Sequence, residues 1–142
     1  MDEDRIAPPL WTLAHREPGD AAIADGHRSL TWAELDAETN ALGHGLLRLG
    51  LTPGDHVSVV ARNHVEYLVA IIGTQRAGLV VTPVKSGWTA SEIGYLLSDA
   101  ESRAVVTDVA AAREAARAAG IPVVDLDDYA DWIADQPSDP HP

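Results

Sequence analysis

Between residues 57 and 124, short β-branched runs alternate with longer stretches of helical periodicity, and this alternation most restricts the fold. The run His56-Val57-Ser58-Val59-Val60-Ala61 reads as a buried strand, because β-branched side chains fit a pleated surface. A helix is expected over residues 64–77. Its Val65, Tyr67, Leu68, Val69, Ile71 and Ile72 surround the axis nearly completely, which predicts burial on several sides. Leu79-Val80-Val81-Thr82, Arg103-Ala104-Val105-Val106-Thr107 and Pro122-Val123-Val124-Asp125 read as further strands, with helices over 89–100 and 109–119 between them. Strands spaced by helices pair in parallel through crossovers. The expected fold is α/β: a three-layer unit with a mainly parallel sheet flanked by helices.

The segment before it adds an N-terminal β-hairpin. Asp25-Gly26-His27 separates Ala21-Ala22-Ile23-Ala24 from Arg28-Ser29-Leu30-Thr31, and Asp-Gly between short runs favours a tight turn. Thr31-Trp32-Ala33-Glu34 then fits a capping box, in which hydroxyl and carboxylate each satisfy an orphan backbone N–H. Trp32, Leu35, Leu42, Leu46 and Leu49 follow as one apolar stripe, and Gly50 ends the helix. Thr89-Ala90-Ser91-Glu92 is a second capping box. The expected organisation is a lead-in over 1–20 with a short helix at 8–16, an α/β subdomain over 21–135, and a linker-like tail over 136–142. Residues 127–134 are expected to form a last short helix.

Charge narrows the partners. The net charge of −12 opposes binding to nucleic acid or to an anionic membrane surface, since both need a basic face. No cysteine is present, so disulfides and thiolate chemistry are excluded. The longest apolar stretch is too short to span a bilayer. Residues 1–5 are charged and precede no long apolar run, so no signal peptide is expected and the location is expected to be cytoplasmic.

The candidate chemistry is thin. Gly43-His44-Gly45 opens like a dinucleotide fingerprint, but it lies inside a helix and Arg48 stands at the third glycine. Lys85-Ser86 ends like a phosphate loop, but Val84 stands where the preceding glycine is needed. The histidines His15, His27, His44, His56, His64 and His141 make no metal-ligating pair on a helix face. Asp125, Asp127, Asp128 and Asp131 are expected to form a solvated acidic face rather than a cation site, and no metal site is expected. Ligands of such sheets bind beyond the C-terminal strand ends. Arg62, Asn63 and Lys85 fall there and are the candidate cofactor-binding residues. Asn63 has a structural alternative as the cap of the following helix.

One ordered set of patterns runs through Asp25-Gly26, Leu30-Thr31-Trp32-Ala33-Glu34-Leu35, and Leu49-Gly50-Leu51-Thr52-Pro53-Gly54-Asp55-His56-Val57. It continues through Ala61-Arg62-Asn63-His64-Val65-Glu66, Arg76-Ala77-Gly78, Thr82-Pro83-Val84 and Ser91-Glu92-Ile93-Gly94-Tyr95-Leu96-Leu97. This set resembles the N-terminal region of the adenylate-forming (AMP-forming) ligases, the family of acyl-CoA synthetases, luciferases and peptide-synthetase adenylation domains. The segment around Thr82 to Glu92 is most similar to the fatty-acyl or aryl CoA ligases.

The resemblance implies an activity for a complete enzyme. ATP activates a carboxylic acid to an acyl-adenylate, and the acyl group passes to coenzyme A. ATP, Mg2+ and coenzyme A are its implied cofactors. The family's phosphate loop, its ribose-binding aspartate and its catalytic lysine have no match here, and Lys85 corresponds to none of them. No catalytic residue is therefore assigned, and the chain alone is expected to be inactive. Its expected partner is the remainder of the ligase, in cis or in trans. A non-catalytic partner or dimerisation module of a larger ligase, including a homodimer, is one alternative reading. A stand-alone domain for a nucleotide or coenzyme A is another.

Overall fold

The computed structural model describes residues 10–140. After α1 (Leu10–Arg16), strands β1 (Ala21–Ala24) and β2 (Ser29–Thr31) form the antiparallel hairpin. Then α2 (Trp32–Arg48), β3 (His56–Val60), α3 (Val65–Arg76), β4 (Val80–Pro83) and α4 (Ala90–Asp99) alternate. They are followed by β5 (Ser102–Thr107), α5 (Ala110–Ala119), β6 (Val123–Asp125), a 3-10 turn at Leu126–Asp128 and α6 (Tyr129–Ala134). The second sheet is wholly parallel, in the order β4-β3-β5-β6.

Strand alternation divides the core between two faces. Val57, Val59, Ala104, Val106 and Val124 pack toward α2 and α3, with Leu42, Leu46 and Val69. Val60, Val105 and Val123 pack toward α4 and α5, with Ile93, Leu97 and Ala116. This is the expected three-layer arrangement. Between strands, the buried Ser58 and Ser102 hydroxyls satisfy one another at 2.6 Å.

Both capping boxes form. Thr31 N–H donates to Glu34 Oε2 at 2.8 Å and Glu34 N–H to Thr31 Oγ1 at 3.2 Å. Thr89 and Glu92 repeat the exchange at 2.8 and 3.3 Å. Thr89→Ala is expected to cost about 1 kcal/mol, measured as a urea midpoint shift at constant slope.

Two helix contacts depend on missing side chains. At Gly73 on α3, a Cβ would sit 2.7 Å from the Thr39 carbonyl oxygen on α2. At Gly45 on α2, a Cβ would overlap the Trp132 indole of α6. The second glycine of the Gly43-His44-Gly45 run thus makes room for Trp132.

Three expectations change. The helix α3 is buried along one side only: Val65, Val69, Ala70 and Gly73 are covered, while Leu68 is 42% exposed. Leu49 leaves the apolar stripe, because the helix ends before it and it stands 41% exposed as the C-cap. The tail, expected to be linker-like from residue 136, lies along α2 as far as Asp139. Asn40 Nδ2 donates to Ser138 O at 3.2 Å, His44 Nε2 lies 2.8 Å from Asp139 O, and Arg48 Nη1 donates to Asp135 O at 3.0 Å. Residues 40, 44 and 48 follow one another on a single helix face, and that row meets the tail's carbonyls. Residues 1–9 of the lead-in, and His141, lie outside the described residues.

Candidate functional site

Because the sheet is parallel, its C-terminal strand ends share one edge. Arg62 and Asn63 leave β3, Lys85 and Ser86 follow β4, Asp108 follows β5 and Asp127 follows β6. Strand order reverses direction between β3 and β5, the place where such sheets open a crevice.

Arg62 and Asp108 face each other across that point. The Arg62 backbone N–H and its Nε each donate to the Asp108 carboxylate at 3.1 Å. The Asp108 side chain is 7% exposed and that of Arg62 63% exposed, so the carboxylate is covered and the guanidinium reaches solvent. A cavity of about 420 Å³ opens beside them, lined also by His27, His64 and Asp127.

Asn63 and Lys85 belong to a different cleft. It measures about 280 Å³ and is shared with Tyr67 and Ser86. The structure therefore brings two of the three candidate residues together and sets Arg62 apart, with Tyr67 on the wall of both spaces. The ammonium of Lys85, the amide of Asn63 and the hydroxyl of Ser86 can together hold a phosphate or a carboxylate.

Asn63 does not cap α3. The N-cap is His64, and its side chain makes no capping bond. The carboxylate comes instead from the hairpin turn: Val65 N–H donates to Asp25 Oδ2 at 2.8 Å. Asp25 Oδ1 also accepts from His27 N–H at 2.8 Å and Arg28 N–H at 3.0 Å. The sequence signals Asp25 only as a turn former. Its distant partner, Val65, is forty residues away and donates through the main chain.

The bonds from the Arg28, Val65 and His27 backbone hold the Asp25 carboxyl far below the usual carboxylate range. A depressed carboxyl stabilises the fold above its unfolded pKa, near 4, and that contribution is lost as pH falls. Asp25→Asn is expected to lower the melting temperature at pH 7 and to flatten the acid limb of a melting-temperature profile. An unchanged acid limb would show that Asp25 does not govern it.

Behind the hairpin lies a polar network. Arg28 donates to Glu66 at 2.8 Å and to Glu38, while the Tyr129 hydroxyl donates to Glu38 Oε2 at 2.7 Å. Burial, with the Glu38 carboxylate beside it, pushes the Tyr129 phenol strongly up. Hairpin, α2, α3 and α6 are joined there.

Asp127, Asp128 and Asp131 of the acidic face are exposed, as expected of a solvated face, while Asp125 is half-buried. Arg113 Nε and Nη2 clamp Asp125 at 2.7 and 2.8 Å, and Nη2 reaches Asp127 at 2.5 Å. Arg113 holds the Asp125 carboxyl below its ordinary range. Among the described residues no group of three or more histidines and carboxylates is placed to hold a metal ion.

A sequence model described as AMP-binding enzyme matches residues 10–141. The chain belongs to that family. It is similar to the probable non-canonical nonribosomal peptide synthetase CymA of Salinispora arenicola, 32% identical over 151 residues. That match covers 99% of this chain and 2% of CymA. It is also similar to the fatty acid–[acyl-carrier-protein] ligase ScoC of Streptomyces coeruleorubidus, 33% identical over 90 residues. There the match covers 63% of this chain and 17% of ScoC. The N-terminal domain of FACL13 from Mycobacterium tuberculosis shares the fold, with a TM-score of 0.84 at 24% identity over 93% of this chain and 36% of that one. The chain thus has the fold of the N-terminal subdomain of AMP-forming ligases and spans a small part of the length of its relatives.

Proposed function

We propose that the chain is the N-terminal part of an AMP-forming acyl-CoA synthetase and is not competent alone. The reaction of the whole enzyme would be ATP-dependent activation of a fatty or aryl carboxylic acid to an acyl-adenylate, then to an acyl-CoA. The family match across residues 10–141 carries this reading. The similarity to ScoC, named as a fatty acid ligase, supports the acid class. The remainder of the ligase, in cis or in trans, would be the partner. The cytoplasm, where ATP and coenzyme A are held, is the location that fits.

Within this assignment Asn63 and Lys85, with Ser86, would hold one phosphate of a cofactor, coenzyme A or a nucleotide. Arg62 would act separately, at the crevice between β3 and β5. ATP supplies the activating phosphoanhydride in such a reaction. The role of this chain would be to present the sheet edge on which the cofactor rests.

The test is pyrophosphate release by the pure chain with ATP and a panel of fatty and aryl acids. No turnover is expected, and turnover would sink the proposal. Titrating the chain with coenzyme A and ATP tests the cleft: Lys85→Gln is expected to weaken any binding about tenfold, the usual loss for one charged hydrogen bond. Exposed Trp88 and Tyr95, 37% and 71% accessible, favour a second reading as a docking or dimerisation module. Sedimentation at rising concentration distinguishes it.

A further inference from the structure

The cleft of Asn63 and Lys85 has a neighbour of the opposite character. A second space, of about 300 Å³, lies between the hairpin and the start of α3. Asn63 and Tyr67 line both spaces, so the two adjoin along the first turns of α3.

At the polar end the side chains are uncommitted. Those of Asn63, Tyr67, Lys85 and Ser86 make no hydrogen bond or ion pair among the described residues. Arg62, the other cation at this edge of the sheet, is held by Asp108. Lys85 is exposed and Ser86 half-buried beside it. An ammonium, an amide and a hydroxyl are thus left to meet an anion from outside.

The adjoining space is mainly apolar. Ile23 and Ala24 line it from β1, and Val65 and Leu68 from α3. Leu68 stands 42% exposed there. The one acid on this wall is Asp25, and it turns both oxygens to backbone N–H groups of residues 27, 28 and 65. Its charge is already answered by these donors.

We propose that the two spaces form one site for a single-chain alkyl anion. The head rests on Lys85, Asn63 and Ser86, Tyr67 stands at the joint, and the alkyl chain lies along Ile23 and Leu68. Carboxylate and phosphate heads suit the three donors alike. Such a ligand binds against the field of a chain of net charge −12, so local donors and apolar cover must hold it. The inference rests on the assignment of Asn63, Lys85 and Ser86 as an anion holder. It departs from the cofactor reading in what continues from the anion, an alkyl chain in place of a nucleotide.

The test titrates the isotope-labelled chain with octanoate and with octyl phosphate, and with acetate and inorganic phosphate as heads without tails. The Ile23 and Leu68 methyl signals are expected to shift with both octyl ligands and with neither bare head. From butyrate through hexanoate to octanoate, affinity is expected to rise about threefold per methylene. Leu68→Asp, at an exposed position, is expected to weaken octanoate about tenfold and to leave inorganic phosphate unchanged. Lys85→Gln is expected to weaken every head about tenfold. Tyr95→Asp, on the helix across the sheet from α3, is expected to change nothing. Either octyl ligand supports the site, and the tighter one names the head. Affinity independent of chain length, an equal loss in Tyr95→Asp, or equally tight binding of octyltrimethylammonium would overturn the inference. Phosphate binding that Lys85→Gln weakens and Leu68→Asp does not, with no gain from the alkyl chain, would overturn it and leave the cofactor reading standing. Binding of no head at all would sink both.

Discussion

Gly73→Leu is expected to destabilise the chain by about 3 kcal/mol or more, enough to leave a large unfolded fraction at 25 °C. The reason is the approach of α3 to α2. A Cβ at residue 73 would lie 2.7 Å from the Thr39 carbonyl oxygen and 2.8 Å from Leu42 Cδ2. The carbonyl belongs to a helix backbone and cannot turn aside, and Leu42 is fully buried. The two helices must separate, and the face of the sheet bearing Val57, Val59 and Val106 then loses its cover. Gly94→Ala is the matching control. Nothing lies within 4 Å of a Cβ there, and alanine should gain up to about 1 kcal/mol in helix propensity. Urea unfolding of both variants measures the contrast. Equal midpoints would show that the α2–α3 contact is not tight.

Arg28→Met is expected to cost about 2–3 kcal/mol, the scale of hydrogen bonds to charged groups. Arg28 lies between Glu38 and Glu66, whose side chains are each 21% exposed. Without the guanidinium two carboxylates are left part-buried, and Glu38 keeps only the Tyr129 hydroxyl. Urea unfolding of the variant reads the loss, and a midpoint equal to that of the unaltered chain would show that the two ion pairs contribute nothing.

Much of the fold is legible in the sequence because its signals are local. The two Thr-x-x-Glu boxes, the Asp-Gly turn and the β-branched runs each state their structure within a few residues. Side chains that bond distant main chain are illegible by the same logic. Asp25 reads as a turn former, yet it also caps α3. Asn40, His44 and Arg48 read as polar positions on a helix, yet they bind the carbonyls of the tail. A carbonyl has no sequence signature. The candidate site is legible only in part. Strand ends can be placed from the pattern, and Arg62, Asn63 and Lys85 do stand at them. Which of them share a cleft depends on how the loops leave the sheet, and there Asp108 draws Arg62 away from the other two.

Lys85 is the only lysine in the chain and lies exposed at the end of β4. An amine-reactive dye, applied after the terminal amine has been acetylated near neutral pH, where a lysine is still protonated, would mark a single side chain. That mark falls inside the cleft with Asn63 and Ser86. The molecule thus carries its own reporter, and the labelling rate of one nitrogen would tell whether anything occupies that space.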